Sequence, residues 1–137
     1  SGEAIDALRE AVRLKPGLAE AHRDLGVALI QQGRKDQALA QFAEAVRLKP
    51  DADMLFNYGL ALLDSGHPAI AEEQFSRELV LKPDSTSAHY RLAQALVRQD
   101  KAADAVAHYR EALRLTPDFP EAKRELDNIM ASHPELR

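Results

Sequence analysis

"LKP" stands at residues 14–16, 48–50 and 81–83, and it returns as "LTP" at 115–117. A recurrence of about 34 residues means one small unit stacked on copies of itself. Aligned on these prolines, the segments before them read "AIDALREAVRLKP", "ALAQFAEAVRLKP", "AEEQFSRELVLKP" and "AVAHYREALRLTP". Each opens on a small residue (Ala4, Ala38, Ala71, Ala105) and places a large apolar one four later (Leu8, Phe42, Phe75, Tyr109). Each also closes with a leucine two before the proline. Spacings of three and four put these side chains on one helix face. The proline then ends the helix by forcing its predecessor into extended backbone.

The intervening segments, "AEAHRDLGVALIQQG", "DMLFNYGLALLDSG" and "TSAHYRLAQALVRQD", carry a second helical pattern. Gly26, Gly59 and Ala93 occupy equivalent places in it. A residue with little or no side chain lets two helix axes approach closely, at a cost of up to about 1 kcal/mol in helix propensity for glycine. Gly33 and Gly66 fall where a helix needs a left-handed C-terminal residue, with Asp100 as a tolerated substitute. Each unit is thus expected to be helix, tight turn, helix, turn.

This pattern resembles the tetratricopeptide repeat, whose signature places L-G ahead of A-x3-F and a closing proline. The match runs through Leu25, Gly26, Leu29, Ala38, Phe42 and Pro50. It recurs through Tyr58, Gly59, Leu62, Ala71, Phe75 and Pro83, and through Leu92, Ala93, Leu96, Ala105, Tyr109 and Pro117. The resemblance implies an all-α, right-handed superhelical solenoid of about eight antiparallel helices forming a single domain. Its expected divisions are a half-repeat at 1–18, complete repeats at 19–51, 52–85 and 86–119, a capping helix at 120–132 and a tail at 133–137. In the cap, Asp127 replaces the small residue and suits a solvated end. The incomplete first unit points to a segment of a larger protein, and the opening Ser1 and Gly2 read as an added leader.

Composition agrees with helices packed through alanine and leucine: hydrophobic residues make up 45% and aromatic ones only 5%, with no tryptophan. A net charge of −4 supplies no clustered cations to displace counterions, so nucleic acid is not an expected partner. No apolar run is long enough to insert directly into a membrane, and the N-terminus lacks the basic and apolar regions of a signal peptide. Cysteine is absent, which leaves cytoplasmic and periplasmic locations equally open.

The five histidines occur singly, without the i, i+4 spacing of a helical zinc site. His22 and His89 hold equivalent repeat positions and are expected to pack between helices. Phosphate loops, dinucleotide fingerprints and nucleophile elbows are missing, and Glu72 and Glu73 point to different helix sectors. The expectation is a non-enzyme without metal or cofactor. One irregularity stands out. Glu78 replaces the alanine found at Ala11, Ala45 and Ala112, so its carboxylate must reach solvent, find a partner or accept a raised pKa. A surface salt bridge is the simpler expectation, and a contact with His89 the sharper one. The loop into the second complete repeat is also one residue shorter than its counterpart.

In the family, the first helices of successive units line a concave groove that receives an extended peptide or a partner helix. Carried onto this chain, the resemblance implies a groove lined by Arg23, Val27, Phe56, Asn57, Leu60, Tyr90, Arg91, Gln94 and Arg98, with Arg124 and Asn128 from the cap. Phe56, Leu60 and Tyr90 are apolar on a face expected to meet solvent, as a binding surface requires. Acidic residues (Glu20, Asp24, Asp53, Asp64) dominate the early groove, whereas Arg91, Arg98 and Arg124 gather later. One branch of the family clamps the C-terminal carboxylate of chaperone tails. Arg23, Asn57 and Arg91 fit that clamp loosely, whereas Val27 and Ser87 stand where it uses Asn and Lys. The competing expectation is self-association, or service as the regulatory module of a larger bacterial protein. The surface for self-association would be Ile5, Leu8 and Val12, on the helix whose partner is missing.

Overall fold

A computed structural model describes residues 2–137. Among these residues the chain forms eight α-helices and no strand: α1 (Gly2–Leu14), α2 (Ala19–Gln31), α3 (Lys35–Leu48), α4 (Ala52–Asp64), α5 (Pro68–Leu81), α6 (Thr86–Val97), α7 (Ala102–Leu115) and α8 (Pro120–Ser132). A short 3-10 turn, Pro134–Leu136, follows. Each helix packs on the next along the chain, so the molecule is an all-α solenoid without a central layer. Ser1 lies outside the described residues.

The prolines act as expected. α1, α3, α5 and α7 all end on the leucine two before Pro16, Pro50, Pro83 and Pro117. The intervening Lys49, Lys82 and Thr116 are extended, with φ/ψ of −146/86, −134/81 and −134/85, because the proline ring disfavours helical geometry in the residue before it. The shortened loop has a structural counterpart in α4, which starts two residues after Pro50, whereas α2 and α6 start three after theirs. Asp51 secures that tight entry by accepting a 2.9 Å hydrogen bond from the Met54 amide.

Within each unit the turn is a left-handed helix cap. Gly33 and Gly66 adopt φ of 75° and 83°. The following amides donate back across the turn, Arg34 to the Leu29 carbonyl and His67 to the Leu62 carbonyl, both at 2.8 Å. Asp100 takes the same conformation at φ 60°, with Lys101 donating to Leu96 at 3.0 Å. A side chain is strained there, so Asp100→Gly should stabilise the fold by about 0.5–1 kcal/mol. A higher midpoint in thermal unfolding followed by circular dichroism would show it; an unchanged or lower midpoint would refute it.

The small residues sit where helices meet. A Cβ added at Gly26 would lie 3.0 Å from the Phe42 ring, and one at Gly59 only 2.6 Å from the Phe75 ring. The residue admitted by each glycine is therefore the large apolar side chain of the same unit's second helix. Ala93 is fully buried, as are Ala38, Ala71, Ala105 and Ala112. Tyr58 packs against all three apolar clusters of the core and ties them together. In α8, Asp127 is exposed and Lys123 pairs with it one turn away at 3.5 Å.

The apolar stripe of α1 is less bare than expected. Ile5 is buried and Leu8 and Val12 pack beside it in the cluster containing Leu25, Leu29 and Phe42. These three side chains are used internally, because the pairing of α1 with α2 needs the same apolar stripe that the missing helix was expected to leave bare. Leu8 and Val12 stay partly exposed, so the bare surface expected for homo-oligomerisation is reduced to their outer edges.

Candidate functional site

The concave face is built by α2, α4 and α6, and it is wider at one end than at the other. At the wider end, a cleft of about 490 Å³ is lined by Arg23, Val27, Asp53, Phe56 and Asn57, and also by Glu78, Lys82, Ser85 and Ser87. A second cleft of about 280 Å³ lies beside it, with Ile30, Gln31, Phe42, Leu60, Ala61 and Asp64 in its wall. Val27 and Asn57 line both. Val27 is 42% exposed. Phe56 lies half-buried on the Phe75 ring, with centroids 5.9 Å apart. The Asn57 amide is half-buried and makes no hydrogen bond among the described residues.

The other end keeps only smaller clefts, of about 150 Å³ beside Gln94 and Arg98 and about 210 Å³ beside Asn128, and it corrects the expectation for Tyr90. This residue occupies the register of Phe56 but is buried, edge-on to Tyr109 at 6.1 Å and against Phe119 at 4.6 Å. The cause is Glu125 of α8. Its carboxylate accepts hydrogen bonds from the hydroxyls of both Tyr90 and Tyr109, the latter at 2.9 Å, and from the Gln94 amide at 3.0 Å. Burial and this neighbouring carboxylate push the Tyr90 hydroxyl up to about 12. Gln94 is therefore engaged internally. Arg91 lies over the Tyr90 ring at 5.4 Å and donates to Gln94 at 3.1 Å. Arg98 donates to the Leu63 carbonyl at 2.6 Å, satisfying the C-terminal end of α4. Arg124 and Asn128 are exposed on α8.

The acidic groups of the early groove are partly neutralised. Lys49 pairs with Glu20 at 2.8 Å, holding its carboxyl below the usual range, and Arg23 pairs with Asp24 at 3.1 Å. Glu78 fulfils neither sequence expectation, because it is only 5% exposed and meets neither a cation nor His89. Its Oε2 accepts from the Ser85 hydroxyl at 3.5 Å while Oε1 is buried without a partner, and desolvation lifts the carboxyl to about 7.

His89 instead pairs with His108, Nδ1 to Nδ1 at 3.0 Å with stacked rings. Its Nε2 donates to the Pro83 carbonyl at 2.9 Å. His22, buried as expected, repeats this arrangement with the Pro16 carbonyl at 2.8 Å and Gln41 at 2.9 Å. The two histidines thus secure equivalent turns.

Glu125, Glu78, Lys82 and Ser85 were absent from the groove read off the sequence. Glu125 was detectable, since it occupies the repeat register of Asp24, Asn57 and Arg91. The others lie on a second helix and the turn after it, and only the approach of that turn to α4 brings them to the cleft.

This architecture now meets its relatives. A family model described as tetratricopeptide repeat matches residues 1–53 and 56–120. The chain belongs to the tetratricopeptide repeat family. No curated protein matches it by sequence. Among solved structures, this repeat chain is similar to MamA (41-end) from Desulfovibrio magneticus RS-1, with 20% identity and a TM-score of 0.90 over 98% of this chain and 77% of that one. It is similar to YrrB, a TPR protein with an unusual peptide-binding site, at 19% identity and a TM-score of 0.87 over 99% and 70% of the two chains. The first TPR of Spaghetti (RPAP3), bound to the HSP90 peptide SRMEEVD, aligns at 24% identity and a TM-score of 0.78 over 83% and 91%. These likenesses establish a tetratricopeptide solenoid. Among the described residues no helix is long and apolar enough to cross a membrane.

Proposed function

We propose that this chain is a non-catalytic scaffold that holds a peptide or partner helix on its concave face, along the two clefts sharing Val27 and Asn57. The observation that carries the reading is this pair of adjoining open clefts, whose walls combine partly exposed apolar side chains with an amide free to donate and accept. Their volumes suit a few side chains each, within reach of the usual few hundred Å³ of ligand pockets. Val27, Phe56 and Leu60 offer apolar area to alternate ligand residues while Asn57 holds the backbone between them.

Relatives of the same fold support the reading, since YrrB has a peptide-binding site and the Spaghetti domain is bound to a peptide. The binding region proposed is narrower than the groove expected from the sequence, because Tyr90, Gln94 and Arg98 are engaged within the chain.

Selection of random displayed peptides against the chain, followed by calorimetry on those retained, tests the proposal. Leu60→Asp and Asn57→Ala should each weaken a selected peptide by about tenfold or more, with helical circular dichroism unchanged. Retention of full affinity by both variants would overturn it.

A further inference from the structure

Glu78 breaks the pattern set by the chain's own repeats, in which Ala11, Ala45 and Ala112 hold its position. Such local departures concentrate where a site demands them. Here Glu78 lines the larger cleft, is only 5% exposed, and has one carboxyl oxygen buried with no hydrogen-bond partner. An orphaned buried oxygen is costly, and a donor arriving with a ligand would satisfy it.

The charge around it shows what kind of donor fits. Arg23 is engaged by Asp24. That leaves Lys82 as the single uncommitted cation of the cleft against two carboxylates, Asp53 and Glu78. None of these three takes part in an ion pair among the described residues. Once Glu78 ionises, these two carboxylates outnumber Lys82 by one.

Resting on the groove reading above, we propose that this cleft selects peptides carrying a basic side chain, Arg or Lys, whose cationic head enters between Asp53 and Glu78. The aliphatic stem of such a side chain suits the apolar wall of Phe56 and Val27. Its head makes charge-assisted hydrogen bonds, roughly twice as strong as neutral ones. Burial is the main influence on the free Glu78 carboxyl, with the Ser85 hydroxyl and Lys82 favouring its ionised form and Asp53 opposing it. The α6 side contributes only the uncharged Ser85 and Ser87 to the cleft. An entering cation therefore displaces a proton near neutral pH. Its affinity should rise about tenfold between pH 6 and pH 8.

The test uses the full chain and two capped pentapeptides, Leu-Ala-Arg-Ala-Leu and the same sequence with citrulline, the neutral isostere, at its centre. Binding is followed by NMR through the Asn57 amide, the Leu60 methyls and the carboxyl carbon of Glu78. The arginine peptide is expected to bind at least fivefold tighter, to move the Glu78 signal and to tighten with rising pH. That preference should disappear in Glu78→Gln and shrink in Asp53→Asn, whose site is exposed and whose fold is not at stake. Equal binding of both peptides with movement at Asn57 and Leu60 would overturn the proposal while leaving the groove reading intact. An arginine preference that persists in both variants would also overturn it. Absence of any movement at Asn57 and Leu60 would overturn it together with peptide binding in these clefts.

Discussion

Phe75→Ala is expected to lower the free energy of unfolding by about 3–5 kcal/mol, the range for deleting a fully buried aromatic ring. Phe75 has no exposed surface and stands at the middle of the solenoid, under Phe56 and against Gly59. Its loss leaves a cavity that α4 and α5 cannot both close. Neighbouring units then lose the interface through which a one-dimensional stack transmits stability. Urea unfolding followed by circular dichroism measures the effect, and a loss under about 1 kcal/mol would contradict the packing described.

The same contact predicts a difference between the two glycines. Gly59→Ala drives a methyl to 2.6 Å from a ring edge, so it should cost about 1–3 kcal/mol despite the gain in helix propensity. Gly26→Ala, at 3.0 Å from Phe42, should be much milder. Adding Phe75→Leu to Gly59→Ala should recover part of the loss, a coupling that a double-mutant cycle reads directly.

Glu78→Ala is expected to stabilise the protein at pH 8 and to do so little at pH 5. The folded carboxyl titrates near 7, above its ordinary 4.5, so the folded state binds the proton more tightly than the unfolded chain does. Its favourable contribution is fully present below pH 4.5 and is lost as pH rises through 7. The loss amounts to about 3 kcal/mol once both states are ionised. Alanine removes that dependence and restores the residue used in the other units, at the expense of some packing. The net gain at pH 8 should be about 2 kcal/mol.

His108 acts with the opposite sign. Burial, and then His89, lower its pKa, while Asp104, Glu111 and Glu72 oppose them. Its contribution is complete above about 6.5 and falls away on acidification. In Glu78→Ala the remaining profile between pH 5 and 8 should therefore slope towards greater stability at high pH. Denaturant midpoints across that range check both statements, and identical profiles for the two proteins would refute the account of Glu78.

Much of the fold can be read from local chemistry. Proline at a fixed period stops four helices two residues early, whatever surrounds them. Gly33, Gly66 and Asp100 mark left-handed turns because few other residues tolerate that backbone. The alternation of small and large residues says which faces meet. The candidate site is less legible, and Tyr90 against Phe56 shows why. The two hold the same repeat position and differ by one hydroxyl, yet one lines a cleft and the other is sealed under α8. What separates them is a carboxylate 35 residues further on.

The sequence by itself determined the helical units, their order, and the small residues through which they touch, because each depends on side chains within a turn or two of one another. Only the tertiary structure decided which part of the concave face is widest, that Ile5 is buried with Leu8 and Val12 packed beside it, that His89 meets His108, and that Glu78 is buried with an oxygen unmatched. Those outcomes depend on which groups from separate helices arrive within hydrogen-bonding distance, and a repeating pattern assigns the same position to residues whose neighbours across the stack differ.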